Sequence, residues 1–152
     1  MSNAQTIIAA LYADLAKITV ANGYANTITK VFKGYPGDNF TLPIAYFILG
    51  DDTAKPITEN YIFGEYELTV VVGIKYRVDA KLGNITDQQE INLKDLDDWV
   101  TGVKGTDKCL SLRTPESAYT VYITDHLRTV EYNVETGSMC AIKLKILFNT
   151  NI

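Results

Sequence analysis

The sequence predicts an α+β domain: a mostly antiparallel, twisted sheet covered on one face by two helices, with a long β-hairpin or ribbon. Three observations carry that expectation. Apolar residues recur at helical spacing in two segments, near residues 7–18 and 91–103. Several other segments alternate with period two or run together as apolar strands. The order helix, strands, helix, strands places helices together on one side of a sheet, without the regular crossovers of a parallel fold.

In the first segment Ile7, Ile8, Leu11, Leu15 and Ile18 lie on one side, with Asp14 and Lys17 opposite. Asn22-Gly23 follows as a stop signal, so an amphipathic helix of four or five turns is expected. Ser2-Asn3-Ala4 reads as a cloning scar outside the fold. Thr27 to Lys33 reads as a short strand, Gly34 to Asp38 as a turn, and Leu42 to Leu49 as an apolar strand covered on both faces. Gly50 to Asn60 has no periodicity and reads as a loop.

YELTVVVGIKYRV, residues 66–78, is the longest alternation. Tyr66, Leu68, Val70, Val72, Ile74, Tyr76 and Val78 fall on one side, with Glu67, Thr69, Val71, Gly73, Lys75 and Arg77 on the other. Gly83-Asn84 then turns the chain, and Thr86 or Asp87 caps a second helix containing Ile91, Leu96, Trp99, Val100 and Val103. Gly102 and Gly105 mark its end. Tyr119 to Thr124, Val130 to Glu135 and Cys140 to Phe148 alternate as strands, with Thr136-Gly137-Ser138 turning between the last two.

The 152 residues are expected to form one domain, 1–152, able to bury a core without staples. Apolar residues make up 47% and charged residues 21%, which excludes a disordered or fibrous class. Cys109 and Cys140 form no CxxC pair, and His126 is the only histidine, too few ligands for zinc. Cys140 is expected as a buried hydrophobe. The net charge is −4 and the cations are scattered, which disfavours sequence-specific nucleic-acid binding. No apolar run approaches the roughly 20 residues of a membrane span, and the N-terminus lacks the pattern of a signal peptide.

Chemistry-bearing patterns are sparse. His126, between Asp125 and Arg128, reads as part of a turn and not as a general base. Gly34 to Gly37 and Gly102 to Gly105 match neither phosphate-loop pattern. Asp95 and Asp98 read as the solvated side of the second helix, opposite Leu96, Trp99, Val100 and Val103. No catalytic, cofactor-binding or metal-binding set is expected, and the chain reads as non-enzymatic. Tyr24, Tyr35 and Tyr61, in or beside turns, are candidates for interfaces.

The ribbon supplies the functional expectation. Thirteen residues extend about 43 Å at roughly 3.3 Å per residue, against a radius of gyration near 15 Å for a domain of this size. One end is expected to overhang, exposing Tyr66 and Leu68 or Tyr76 and Val78, unless a bulge at Gly73 bends the ribbon. A neighbouring copy would cover the overhang. The candidate interface residues are Asp51, Asp52, Glu59 and Tyr61 in the loop, Glu65 and Glu67 at the start of the ribbon, and Lys75 and Arg77 at its other end. Opposite charges at the two ends would pair between adjacent subunits.

The segments IIAALYADLAKI, NGYANTITKVFKG, LPIAYFILGDD, YELTVVVGIKYRV, INLKDLDDWVTGV and MCAIKLKILF, in that order, resemble the tail terminator (tail completion) proteins of long-tailed bacteriophages. The likeness rests on the order of elements over nearly the whole chain, with Gly50-Asp51 after the proline-led strand agreeing. It implies a small α+β subunit forming a ring, typically hexameric, on the end of the tail tube. Such a ring ends tail polymerisation and offers a head-attachment surface. Implied partners are further copies of the chain, the tail tube protein and a head-completion protein, with assembly in the host cytoplasm and a final place in the virion tail. Six copies at −4 each carry about −24, which would let DNA pass without sticking. A head-completion or connector protein, and a small α+β enzyme or ligand-binding protein, are the competing readings.

Overall fold

The structure, a computed structural model, describes residues 3–37, 40–50, 55–56, 63–78, 80–113, 119–128 and 137–151. Its elements are helix α1 (Asn3–Leu15), strands β1 (Val31–Lys33), β2 (Ile44–Leu49), β3 (Lys55–Pro56) and β4 (Phe63–Tyr76), helix α2 (Ile85–Thr101), and strands β5 (Tyr119–Arg128) and β6 (Ser138–Asn151). They form an α+β fold. The sheet order is β1-β2-β4-β6-β5, with β3 also paired to β4. Among the described strands only β1 and β2 run parallel. No helix among the described residues is long and apolar enough to cross a membrane.

Helix α1 begins at Asn3, inside the stretch expected to lie outside the fold. It buries Ile7, Leu11 and Leu15, spaced four apart, so that they stack on one stripe. The chain then turns at Val20–Asn22, where the Thr19 hydroxyl accepts from the Asn22 amide and Gly23 closes the turn at φ 95°. Only Val31 to Lys33 of the expected first strand joins the sheet.

The centre of the sheet is the β4–β6 ladder, which runs unbroken from Phe63 opposite Asn151 to Tyr76 opposite Ser138. At about 3.3 Å per residue its fourteen pairs extend roughly 46 Å. Gly73 pairs in register with Ala141, so the ribbon does not bulge there.

Helix α2 lies over this ladder and α1 over β1 and β2 beside it, and together they close one core holding Val70, Val72 and Ile74 with Ile142, Leu144 and Ile146. This corrects the expected overhang at Leu68 and at the Tyr76–Val78 end. Leu68 is fully buried, Tyr76 is 4% exposed and Val78 2%, because the two helices and the turns joining them to the strands cover the described length of the row. The side chain of Tyr66 lies outside the described residues.

Trp99 is fully buried on α2, and its indole N–H donates to the Asp14 carbonyl at 2.9 Å. Three acids expected in solvent are buried instead: Asp14, Asp95 and Asp98. Asp14 accepts from the Ser111 amide and hydroxyl. Asp95 accepts from the Ala25 and Asn26 amides, both at 2.9 Å, and from the Asn26 side chain. Asp98 meets Lys94 and Lys104. Periodicity shows which side of a helix is polar, but not whether a loop crosses it to supply donors. Conversely Ile91 and Val103, expected on the buried stripe, are exposed.

Strand β5 continues to Arg128 through a register shift between Ile123 and Asp125. Asp125, His126 and Arg128 are therefore strand residues, not the expected turn. The expected strand at 130–135 lies outside the described residues.

Candidate functional site

The face of the sheet away from the helices is built from the other half of each alternation. In β4 these residues are Glu67, Thr69, Val71, Gly73 and Lys75, and in β6 they are Met139, Ala141, Lys143, Lys145 and Leu147. Pairing sets two rows across four strands. One runs Ile48, Val71, Lys143, Asp125, and the other Tyr46, Gly73, Ala141, Leu127. The shift after Ile123 brings Leu127 onto this face and turns His126 and Arg128 towards α2.

The second row depends on Gly73. A Cβ there would stand 2.5 Å from Tyr46 Cε1, so only glycine leaves room for the Tyr46 ring to lie against the backbone. Tyr35 stacks on the outer side of that ring, with centroids 6.4 Å apart and planes 23° apart. Tyr46 is thus 4% exposed while Tyr35 is 76% exposed. Burial pushes the Tyr46 phenol up to about 12, with smaller contributions from Cys140 and Tyr35.

Beside this stack runs an open groove of about 480 Å³, lined by Tyr35, Tyr46, Leu127 and Met139 among others. Ile48, Val71 and Ala141 contribute to its lining, and Lys143 and Arg128 are the cations that border it, Arg128 being paired with Glu90. Lys143 makes no ion pair or side-chain hydrogen bond among the described residues, although Asp125 is its register partner.

The structure places the expected interface residues as follows. Asp51, Asp52, Glu59 and Tyr61 lie outside the described residues. Glu65 pairs through its backbone with Asn149, and its side chain also lies outside them. Glu67 and Lys75 share the open face, eight residues apart along one strand, with Arg77 exposed beyond the strand's end. Both have partners within the chain. Glu67 meets Lys145 at 3.0 Å, and the hydrogen bond and charge of Glu67 raise the Lys145 ammonium above its ordinary value. The Lys75 ammonium sits 5.0 Å from the centre of the Phe40 ring. Of the turn tyrosines, Tyr24 is core, donating to the Lys108 carbonyl at 2.9 Å, whereas Tyr35 is on the surface.

Other reactive groups have partners within the chain or are buried. His126 Nε2 lies 2.7 Å from Asp97, and Arg128 reaches both Glu90 oxygens at 2.6 and 3.2 Å, tying the end of β5 to α2. The Arg128 hydrogen bond lowers the Glu90 carboxyl, and the same bond raises the guanidinium. Cys109 and Cys140 are buried free thiols, and burial pushes Cys140 up to about 12. Among the described residues no group of three or more His, Cys, Asp or Glu could hold a metal ion.

Sequence reading missed the groove itself: Lys143, Leu127 and the Tyr35–Tyr46–Gly73 stack. Gly73 was the available signal, since a glycine inside a strand also marks a close approach by another group. No family model matches the chain, and no curated protein matches it significantly in sequence.

Proposed function

We propose that the chain is a structural subunit that self-associates into a ring capping the end of a phage or prophage tail tube. The ring ends tube polymerisation and presents a surface to the head. The observation that carries this reading is the open face of the sheet, a sizeable apolar groove spanning β2, β4, β6 and β5. Exposed apolar patches bounded by charge mark surfaces that meet other proteins.

Two further features support it. The outer edge of β5 has no strand partner among the described residues over ten residues, and such an edge invites pairing unless it is covered. The reading also rests on the sequence resemblance to tail terminators, carried by the order of first helix, long strand, middle helix and closing strands. The function would then be geometric, with no bond made or broken. The tail tube protein and a head-completion protein would be the outer partners, and the interface positions Asp51, Asp52, Glu59, Tyr61, Glu65 and Arg77 remain candidates for those contacts.

A groove of about 480 Å³ also falls within the roughly 300–1,000 Å³ of small-molecule sites, which favours a ligand-binding protein as the second reading. Native mass spectrometry and negative-stain imaging over a concentration series separate the two. A closed ring with a central hole wide enough for duplex DNA is the expected result. A monomer at every concentration, and in the presence of tail tubes, would overturn the proposal.

A further inference from the structure

Resting on the self-association reading, we infer that the groove on one copy seats the solvent side of α2 from the next copy. Leu127 then packs against Ile91, and the Lys143 ammonium faces the Asp87 carboxylate. The contact joins the open sheet face of one subunit to the helix layer of its neighbour.

Charge complementarity selects this occupant. Lys143 borders an apolar groove without an ion-pair partner among the described residues, so a carboxylate arriving from outside meets it with little competition. The occupant needs an unpaired acid beside an exposed aliphatic group. On α2, Asp87 and Ile91 are four residues apart and therefore neighbours on one side of the helix. Ile91 is 51% exposed, and Asp87 has no ion-pair partner among the described residues. The remaining α2 acids are engaged: Glu90 with Arg128, Asp97 with His126, and Asp95 and Asp98 in their buried bonds.

Val20, another exposed aliphatic residue, has no acid within four residues on either side. The two patches lie on opposite layers of the fold and cannot satisfy each other in a twofold pair. Each junction leaves one groove and one α2 face free, so the contact repeats from copy to copy and ends when rotation closes the ring.

The test measures self-association of the full chain by sedimentation velocity for the wild type, Lys143→Glu, Asp87→Lys and an equimolar mixture of the two variants. Each single reversal is expected to weaken association about tenfold, as loss of a close interfacial charge pair does. The mixture should recover it, because every junction then brings opposite charges together. Ile91→Ser, at an exposed helix position, gives a second, uncharged measure and should also weaken association. A wild-type ring that neither reversal disturbs, or single-variant losses that mixing does not restore, overturns this interface and leaves the ring reading standing. A wild type that stays monomeric at every concentration, and in the presence of tail tubes, overturns both.

Discussion

Gly73→Ala tests the packing of the open face most directly. The added Cβ would stand 2.5 Å from Tyr46 Cε1, and closer still to the ring's Cζ and hydroxyl. Ordinary carbon contacts are about 3.5–4.0 Å, so the ring must retreat by roughly 1 Å or more. Tyr35 on its outer side resists that movement. Overpacking of this kind costs about 1–3 kcal/mol, while replacing glycine by alanine returns about 0.4–1 kcal/mol through the unfolded chain. A net loss of about 1–2 kcal/mol is expected, or roughly five- to thirty-fold in the folding equilibrium. Urea unfolding followed by the fluorescence of Trp99, the only tryptophan and fully buried, measures it. In a Tyr46→Ala background the obstacle is gone, and Gly73→Ala should become neutral or mildly stabilising. Equal costs in the two backgrounds would refute the idea that the glycine exists to seat the ring. The Tyr46 phenol gives an independent readout, since partial exposure should bring its titration down from about 12 towards its ordinary value of 10.0.

Gly137→Ala should destabilise by about 1–3 kcal/mol, because Gly137 sits at φ 88° and a Cβ there meets the Tyr76 carbonyl oxygen at 2.6 Å. Asp95→Ala should cost about 2–4 kcal/mol in the same urea assay, since it removes the acceptor of the Ala25 and Asn26 amides while α2 stays in place. Stability should also fall on the alkaline side. Cys140 is raised from 9.0 to about 12 and Tyr46 from 10.0 to about 12, so the unfolded chain releases these protons first. Their contribution is intact below pH 9 and is lost as pH rises through the 9–12 window; a flat urea midpoint from pH 8 to 11 would contradict it. At neutral pH neither thiol should react with a thiol reagent until the chain unfolds, because both are buried.

The α+β class, both helices and the central strand were legible because each rests on a period that backbone geometry imposes. Ile7, Leu11 and Leu15 must share a stripe if the segment is helical, and Leu68, Val70, Val72 and Ile74 must share a face if it is extended. The overhang was inferred from strand length alone. Length along one axis says nothing about how far the helices and turns reach over it, and here they cover the row to Val78. Asp14 and Asp95 were misread for a related reason. Their carboxylates are satisfied by Ser111, Ala25 and Asn26, residues far away in the chain, and no local pattern announces such partners.

By itself, the sequence determined the two helices and the long central strand, which side of that strand is apolar, and that two helices gather on one face of an extended ladder. Those properties follow from side-chain periodicity, which is local. Only the tertiary structure decided what the other face presents. The register of β2 against β4 places Tyr46 over Gly73, and the shift in β5 turns Leu127 towards the groove and His126 towards α2. Register and bulges are settled by packing between strands distant in the chain, so the candidate docking face emerges only when the strands are assembled.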